Sequence, residues 1–424
     1  MGFALGVVPV VLLLLGFPIF IVLLAAVTVA LVFFMNVPYA ALHQTMFGAI
    51  DAFALLAVPF FLFAGEVMGR GSVAKRIVDV VQAGVGSIPG SLGVTSVGTS
   101  AIFGAISGAS SATVATIGQI MVPAMRAKKY PETFNAGLIT AVGAIDIIIP
   151  PSIPMIIYGA TAQESVPKLY AAGLGPGVLL AVLLGAYVFW YAKTRGIDVG
   201  QRFDAGQFLR AFGRGLWALG APFIILGGVY GGVFSPTEAA SVACLYAIIV
   251  TRLVYRDISW AGIVECAATT VRLTAQVFII VACASVFAWL LTVNQVPQKI
   301  VELIDAMKLG SAAVLFVINV LLLIVGCFVD PLSAIIMLTP LLVPIVKAAG
   351  IDTVHFGIIV TVNLAIGLFT PPFGINLFVA QAALKFPIAT IIKGLWPFLI
   401  LYLIALMLIT YIPEIALSGV KLFF

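Results

Sequence analysis

The sequence predicts an all-α polytopic membrane protein built on an inverted repeat, with two re-entrant helical hairpins and two proline-broken transmembrane helices. Three observations lead there. Of 424 residues, 63% are hydrophobic and only 9% charged, with a mean hydropathy of +1.24; soluble domains carry about 25% charge to cover their surface. Apolar runs of about 17–25 residues, the length that crosses a bilayer, recur along the chain. And the stretch AIDIIIPPSIPMIIYGATA (144–162) returns as AIGLFTPPFGINLFVAQAA (365–383), each with a Pro-Pro pair inside an apolar span.

Taken in order, unbroken spans are predicted near 4–34, 52–69, 172–192, 215–233, 236–252, 274–293 and 394–412. The first is too long for a signal peptide and lacks a basic leader, so it reads as a retained span. Regions 132–162 and 353–383 are long enough to cross but carry the Pro-Pro breaks. Two further regions, 90–126 and 311–347, read as hairpins with polar centres, SGASS (107–111) and GCFVDP (326–331). Their arms, about 17 residues each, sit at the short limit for a crossing, which predicts re-entrant hairpins. Two short amphipathic stretches, AKRIVDVV (74–81) and PQKIVELI (297–304), suit the membrane interfaces. Glu238 follows Ser235 with the spacing of a capping box. Glu66 and Arg70 have the spacing of a helix-end ion pair.

Lys and Arg mark cytoplasmic loops, and the basic clusters accept one orientation. Arg70, Lys75 and Arg76 precede the first hairpin; Arg126, Lys128 and Lys129 follow it. Lys193, Arg195, Arg202, Arg210 and Arg214 fill the longest polar loop, and Arg252 and Arg256 follow the next pair of spans. All of these fall inside if the N-terminus is cytoplasmic and the C-terminus periplasmic. The second hairpin then enters from outside. Its flanks are less basic, with Lys299, Lys308 and Lys347 set against Glu302, Asp305 and Asp352. The chain is thus one transmembrane domain, 1–424, with repeat 1 at about 4–192, a connecting span at about 215–233 and repeat 2 at about 236–412.

Shifting the sequence by 221 residues places Pro123, Pro150, Pro151 and Pro176 on Pro344, Pro371, Pro372 and Pro397, where chance gives fewer than one coincidence. Thr140, Ala144, Ile145 and Gly173 fall on Thr361, Ala365, Ile366 and Gly394, and Ala109 falls on Asp330. Proline removes a backbone donor and clashes with the carbonyl four residues back, so it ends one half-helix and can begin the next. At membrane depth freed backbone groups are tolerated only where protein or a wet cavity satisfies them. Paired broken helices in opposed repeats therefore point to a secondary transporter with its site near the midplane. Unwound carbonyls suit a sodium ion. Half-helix N-termini near Ser152 and Phe373 suit an anion.

Other classes find little support. Cys244, Cys266, Cys283 and Cys327 lack metal-ligand spacing, and His43 and His355 are isolated. No zinc-protease, nucleophile-elbow or phosphate-loop motif is present, and no nucleic-acid patch is visible, so neither an enzyme nor a bound cofactor is expected. A channel would repeat around a pore by oligomerisation; here the duplication lies within one chain.

The motifs GAISGASSATVATIGQIMVPAM (104–125), IIIPPSIPMIIYGA (147–160), GGVFSPTEAASVA (231–243), DPLSAIIMLTPLLVPI (330–345) and NLAIGLFTPPFGINLFV (363–379) span nearly the whole chain. In them it resembles the large membrane subunit (M, DctM-like) of TRAP transporters, the tripartite ATP-independent periplasmic transporters. The resemblance implies sodium-coupled uptake of a small organic anion, usually a carboxylate such as a C4-dicarboxylate or sialic acid, across the bacterial inner membrane. It implies an elevator motion of hairpins and broken helices against a scaffold, and two partners: a small membrane subunit (Q) and a periplasmic substrate-binding protein (P). Carried over by residue, it places one sodium site at Ser107, Ser110, Asp146, Ile149 and Pro150, and a second at Gly326, Asp330, Gly367 and Thr370. The two cannot be chemically identical, because the first tip is serine-rich while the second carries Asp330. The substrate is expected between the tips, near Ser111, Thr113, Ser152, Asn363 and Asn376. The alternative is a stand-alone sodium–carboxylate symporter that needs no binding protein.

Overall fold

Glycine and proline, more than hydropathy, decide where these helices stop. The computed structural model describes residues 6–35, 39–197, 203–307 and 309–424; Arg202 and Lys308, two cations of the charge argument, lie outside them. The N-terminal run is not the single span expected. It divides into α1 (Val8–Leu14) and α2 (Ile19–Phe34), because Gly16 takes φ +80° and Pro18 has no N–H to return to the preceding turn. α3 (Tyr39–Ile50) was not foreseen, and α4 (Ala57–Arg70) follows it.

A six-helix set comes next: α5 (Val73–Val85), α6 (Ser91–Ser107), α7 (Ser110–Ala127), α8 (Glu132–Val142), α9 (Ile153–Ala162) and α10 (Val166–Arg195). α11 (Ala205–Tyr230) begins inside the expected polar loop. It leads to α12 (Pro236–Ile248), which ends in a π turn over Ile249–Val254. α13 (Trp260–Val293) is 34 residues long and contains the span expected at 274–293. The six-helix set then recurs as α14 (Val296–Ala306), α15 (Ser311–Gly326), α16 (Pro331–Ala348), α17 (Thr353–Gly367), α18 (Ile375–Leu384) and α19 (Ile388–Tyr411), followed by α20 (Glu414–Phe423). Each helix of the second set starts 220 to 223 residues after its counterpart, as Ser311 follows Ser91 by 220 and Val296 follows Val73 by 223. The shift found in the prolines is thus a shift of whole elements.

The two sets interlock reciprocally: α7 packs on α18, and α16 packs on α9. α8 and α19 cross with their backbones touching. A Cβ at Gly137 would lie 2.1 Å from the Gly394 carbonyl oxygen, the close approach that small residues permit where apolar burial cannot drive helix association. Tyr402 Oη donates to the Ala141 carbonyl at 2.8 Å across the same crossing. α13 gathers α2, α3 and α4 around it, and α12 packs on α4. This group meets the hairpins through the contacts of α4 with α6 and of α13 with α16.

Helix ends follow local chemistry. Ser235 Oγ accepts from the Glu238 N–H at 3.3 Å and Glu238 returns an acceptor to the Ser235 N–H at 2.7 Å, the anticipated capping box. Arg70 Nε lies 2.9 Å from Glu66, as the spacing indicates, and its guanidinium also reaches Glu265 on α13 at 3.0 Å. Among the described residues, seven helical segments are long and apolar enough to cross a membrane. No β-strand occurs among the described residues.

Candidate functional site

The first hairpin turns because Gly108 adopts φ +58° after the last residue of α6 and Ala109 is extended, so α7 starts at once at Ser110. The neighbouring broken helix unwinds after the 3-10 turn Gly143–Ile145 and restarts at Ile153. The second restarts at Ile375. Both Pro-Pro bonds, Pro150–Pro151 and Pro371–Pro372, are cis.

Small residues press tip and break together. A Cβ at Gly104 would lie 2.6 Å from Asp146 Cα, and one at Gly143 would lie 2.9 Å from the Ser110 carbonyl oxygen. Asp146 is fully buried in this seat. Ser107 Oγ donates to its Oδ2 at 2.9 Å and the Thr113 hydroxyl donates to the same oxygen. The Ala109 N–H donates to Ser107 Oγ at 3.2 Å, which fixes the tip against the carboxylate. Asp146 Oδ1 has no hydrogen-bond partner.

The second set contributes to the same place. Asn376, in the first turn of α18, is fully buried. Its Nδ2 donates to Ser110 Oγ at 2.8 Å and to the Thr140 carbonyl at 3.4 Å, while its Oδ1 has no partner. Ser107, Ser110, Thr113, Asp146 and Asn376 therefore form one polar knot at the first tip. Thr113, expected among the substrate contacts, belongs with the carboxylate. Ser111 is half-buried in the first turn of α7. The buried Ser152 donates to the Ile147 carbonyl across the unwound segment. Pro150 is buried, and the Ile149 side chain fills the space opposite Gly177.

The second tip is built differently. A Cβ at Gly367 would lie 2.4 Å from the Gly326 carbonyl oxygen, so break and hairpin meet backbone to backbone. Thr370 Oγ1 donates to the Ile366 carbonyl at 2.7 Å. Asp330 does not join this contact through its hydrogen bonds. It caps α16, its Oδ2 accepting from the Ser333 N–H at 3.0 Å and its Oδ1 from Ser333 Oγ at 2.6 Å. Asp330 lines a cleft of about 340 Å³ shared with Phe20, Leu62 and Gln276 on α2, α4 and α13. Helix capping thus claims the carboxylate expected to hold an ion with Gly326, Gly367 and Thr370.

Asn363 also sits apart from the knot's hydrogen bonds. Its Nδ2 donates to Asn319 Oδ1 at 2.6 Å and to the Ile359 carbonyl at 2.8 Å, and Asn319 Nδ2 donates to Thr410 Oγ1 at 3.1 Å. Asn319 was missed in the sequence, although a lone Asn inside the apolar run VLFVINVLLLIVG (314–326) is a signal. Such a residue needs a polar partner in lipid.

The knot suits a hard cation. A buried carboxylate is costly unless charge or hydrogen bonds compensate it. Asp146 receives two hydroxyl donors on one oxygen and none on the other. No salt bridge among the described residues involves it. With Asn376 Oδ1, it supplies a second unpartnered buried oxygen, and carboxylate and carbonyl oxygens are ligands that hard cations prefer.

Comparison with known proteins identifies the architecture. The chain is 40% identical over 402 residues to the isethionate TRAP transporter permease protein of Oleidesulfovibrio alaskensis, matching 94% of this chain but spanning only 63% of that relative's length. It is 39% identical over 373 residues to the C4-dicarboxylate TRAP transporter large permease protein of Pseudomonas aeruginosa, covering 88% of this chain and 87% of that one. The fold matches the Alcanivorax borkumensis YdaH transporter with a TM-score of 0.63 at 14% identity, over 98% of this chain and 99% of that one. The family described as tripartite ATP-independent periplasmic transporter, DctM component, matches residues 7–415. With hairpins, proline breaks and a duplicated six-helix set behind it, this multi-pass chain is a transporter permease rather than an enzyme, and it belongs to the DctM-component family of TRAP transporters.

Proposed function

We propose that the chain is the large permease of a sodium-coupled uptake system for a small organic carboxylate in the bacterial inner membrane. It works with a small membrane subunit and receives its substrate from a periplasmic binding protein. The observation that carries this reading is the fully buried Asp146, with one oxygen held by Ser107 and Thr113 and the other unpartnered at the hairpin tip. A sodium ion there, completed by Asn376 Oδ1, neutralises a buried carboxylate that has hydrogen-bond donors but no ion-pair partner among the described residues.

Substrate follows from the same charge balance. No Lys or Arg side chain hydrogen-bonds to Asp146, Asp330 or Asn376 among the described residues. An anion between the tips is then held by bound sodium, by hydroxyls and by the N-termini of α9 and α18, which makes its binding conditional on sodium. The relative named for C4-dicarboxylate supports a carboxylate substrate. Reciprocal packing of α7 on α18 and α16 on α9 is what a two-fold relation between the sets produces. It supports the inverted repeat; the basic loops support an N-terminus inside and a C-terminus outside, and the proposal includes an elevator motion.

The test is uptake of radiolabelled carboxylates into proteoliposomes holding this chain and its small subunit. Uptake that requires both an inward sodium gradient and the binding protein supports the proposal. Uptake with sodium but without the binding protein establishes the stand-alone symporter instead.

A further inference from the structure

Away from the knot, charge concentrates where α5 meets α11. A cleft of about 620 Å³ opens there, lined by Lys75, Arg76, Asp79, Gln207, Arg210 and Arg214. The two helices approach closely beside it, for a Cβ at Gly215 would lie 2.5 Å from Val80 Cγ2. Gln207, Arg210 and Arg214 recur at three and four residues, so they share one face of α11. Lys75, Arg76 and Asp79 face them from α5, and the charges of Lys75, Arg76 and Arg214 act on Asp79. Four cations meet one carboxylate.

Arg76 and Arg210 are held in place without an ion pair among the described residues. Arg76 Nε donates to Ser72 Oγ at 3.0 Å, one of its terminal nitrogens donates to the Arg214 carbonyl at 3.4 Å, and its guanidinium lies 3.8 Å from the Tyr255 ring centroid. Arg210 Nε donates to the Gly206 carbonyl at 3.1 Å. No salt bridge among the described residues engages Lys75, Arg76, Arg210 or Arg214. Guanidinium forks match phosphate oxygens in geometry as well as charge.

The surroundings decide the source of the phosphate. On α11, Trp217 stands on the ridge of Arg210 and Arg214, seven and three residues on, and is 47% exposed; Leu209, Phe212 and Leu216 are exposed on the side of the helix away from the cleft. A tryptophan one turn beyond a row of cations, on a helix apolar enough to cross a membrane, has the arrangement of a membrane boundary. A free phosphate uses the cations alone, whereas a phospholipid also uses the tryptophan and the apolar helix beyond it. The geometry points to this cleft as a binding site for the phosphodiester headgroup of an anionic phospholipid, its acyl chains running past Trp217 along the span. The lipid bridges the helix that leads into the first hairpin and the first of the three helices between the six-helix sets.

The test is native mass spectrometry of the delipidated full chain, titrated with phosphatidylglycerol or phosphatidylethanolamine, with inorganic phosphate as competitor. Phosphatidylglycerol binds at least about tenfold more tightly than phosphatidylethanolamine, since each cation near an anionic headgroup contributes about a fivefold change. The K75Q/R210Q/R214Q variant loses that preference, and R210Q alone lowers it by about fivefold. K193Q/R195Q, which removes two cations from the end of α10, retains it. Equal preference in the triple variant and the parent overturns the site, as does equal loss in K193Q/R195Q. Displacement of phosphatidylglycerol by equimolar phosphate shows a free-anion site and overturns the lipid assignment. The melting temperature of each variant, unchanged from the parent, certifies the fold.

Discussion

At the scale of single residues, the two tip aspartates have opposite assignments, and substitution separates them. Asp146→Asn keeps the shape and the hydroxyl contacts but removes the charge from the unpartnered oxygen. The sodium concentration giving half-maximal uptake should rise at least about tenfold, equivalent to about 1.4 kcal/mol, with little change in melting temperature. An unchanged sodium dependence would remove Asp146 from the ion site. Asp330 is bonded as an N-cap, and serine caps nearly as well as aspartate while alanine does not. Asp330→Ala should cost about 1 kcal/mol of stability and Asp330→Ser should restore it, with sodium dependence unaltered in both. If the serine variant is stable yet loses its sodium response, Asp330 holds an ion as well as a helix end.

At the scale of elements, the crossing of α8 and α19 is an exacting contact, because Gly137 meets the Gly394 backbone. Gly137→Leu forces the helices apart, and overpacking of this kind costs about 1–3 kcal/mol. The variant should melt several degrees lower, whereas Gly185→Leu on α10, with nothing within 4 Å of its Cβ, should melt with the parent. Equal melting of the two variants would mean that the crossing is not a close contact. The hairpins and breaks were legible because proline, glycine and hydropathy act locally, and because a duplication shows each signal twice. The split at Gly16–Pro18 carried the same local signal, but the long apolar run around it obscured it. α3 and the full length of α13 were not legible, since their limits depend on packing against helices far away in sequence. Side-chain partners were the least legible part. Ser110 and Asn376 are 266 residues apart, and no local pattern shows that Asn376 serves the first tip while Asn363 turns to Asn319. Asp330 could have been read as a cap from the sequence Asp-Pro-Leu-Ser, where Ser333 stands three residues on, but its depth drew attention to its charge instead.

At the scale of the whole molecule, the cleft holding Asp330 lies between two groups of helices. On one side stand Phe20, Leu62 and Gln276 of α2, α4 and α13; on the other stand Asp330 and Leu332 of the second hairpin. The hairpin side is tied to the rest of the duplicated set, for Tyr158 Oη donates to the Thr353 carbonyl at 2.7 Å and Thr353 donates to Glu164. The proposed elevator moves hairpins and broken helices as one body past α13, which requires the two sides of the cleft to separate while the Glu164–Thr353 contact stays closed. In a background without the four native cysteines, a thiol-specific crosslink between Cys residues replacing Leu332 and Gln276 should abolish uptake, and a reducible linker should restore it on cleavage. A crosslink between Cys residues replacing Glu164 and Thr353 should leave uptake nearly intact. The opposite pattern, with uptake surviving the first crosslink and failing with the second, would mean that the duplicated set opens within itself while the second hairpin stays fixed on α13.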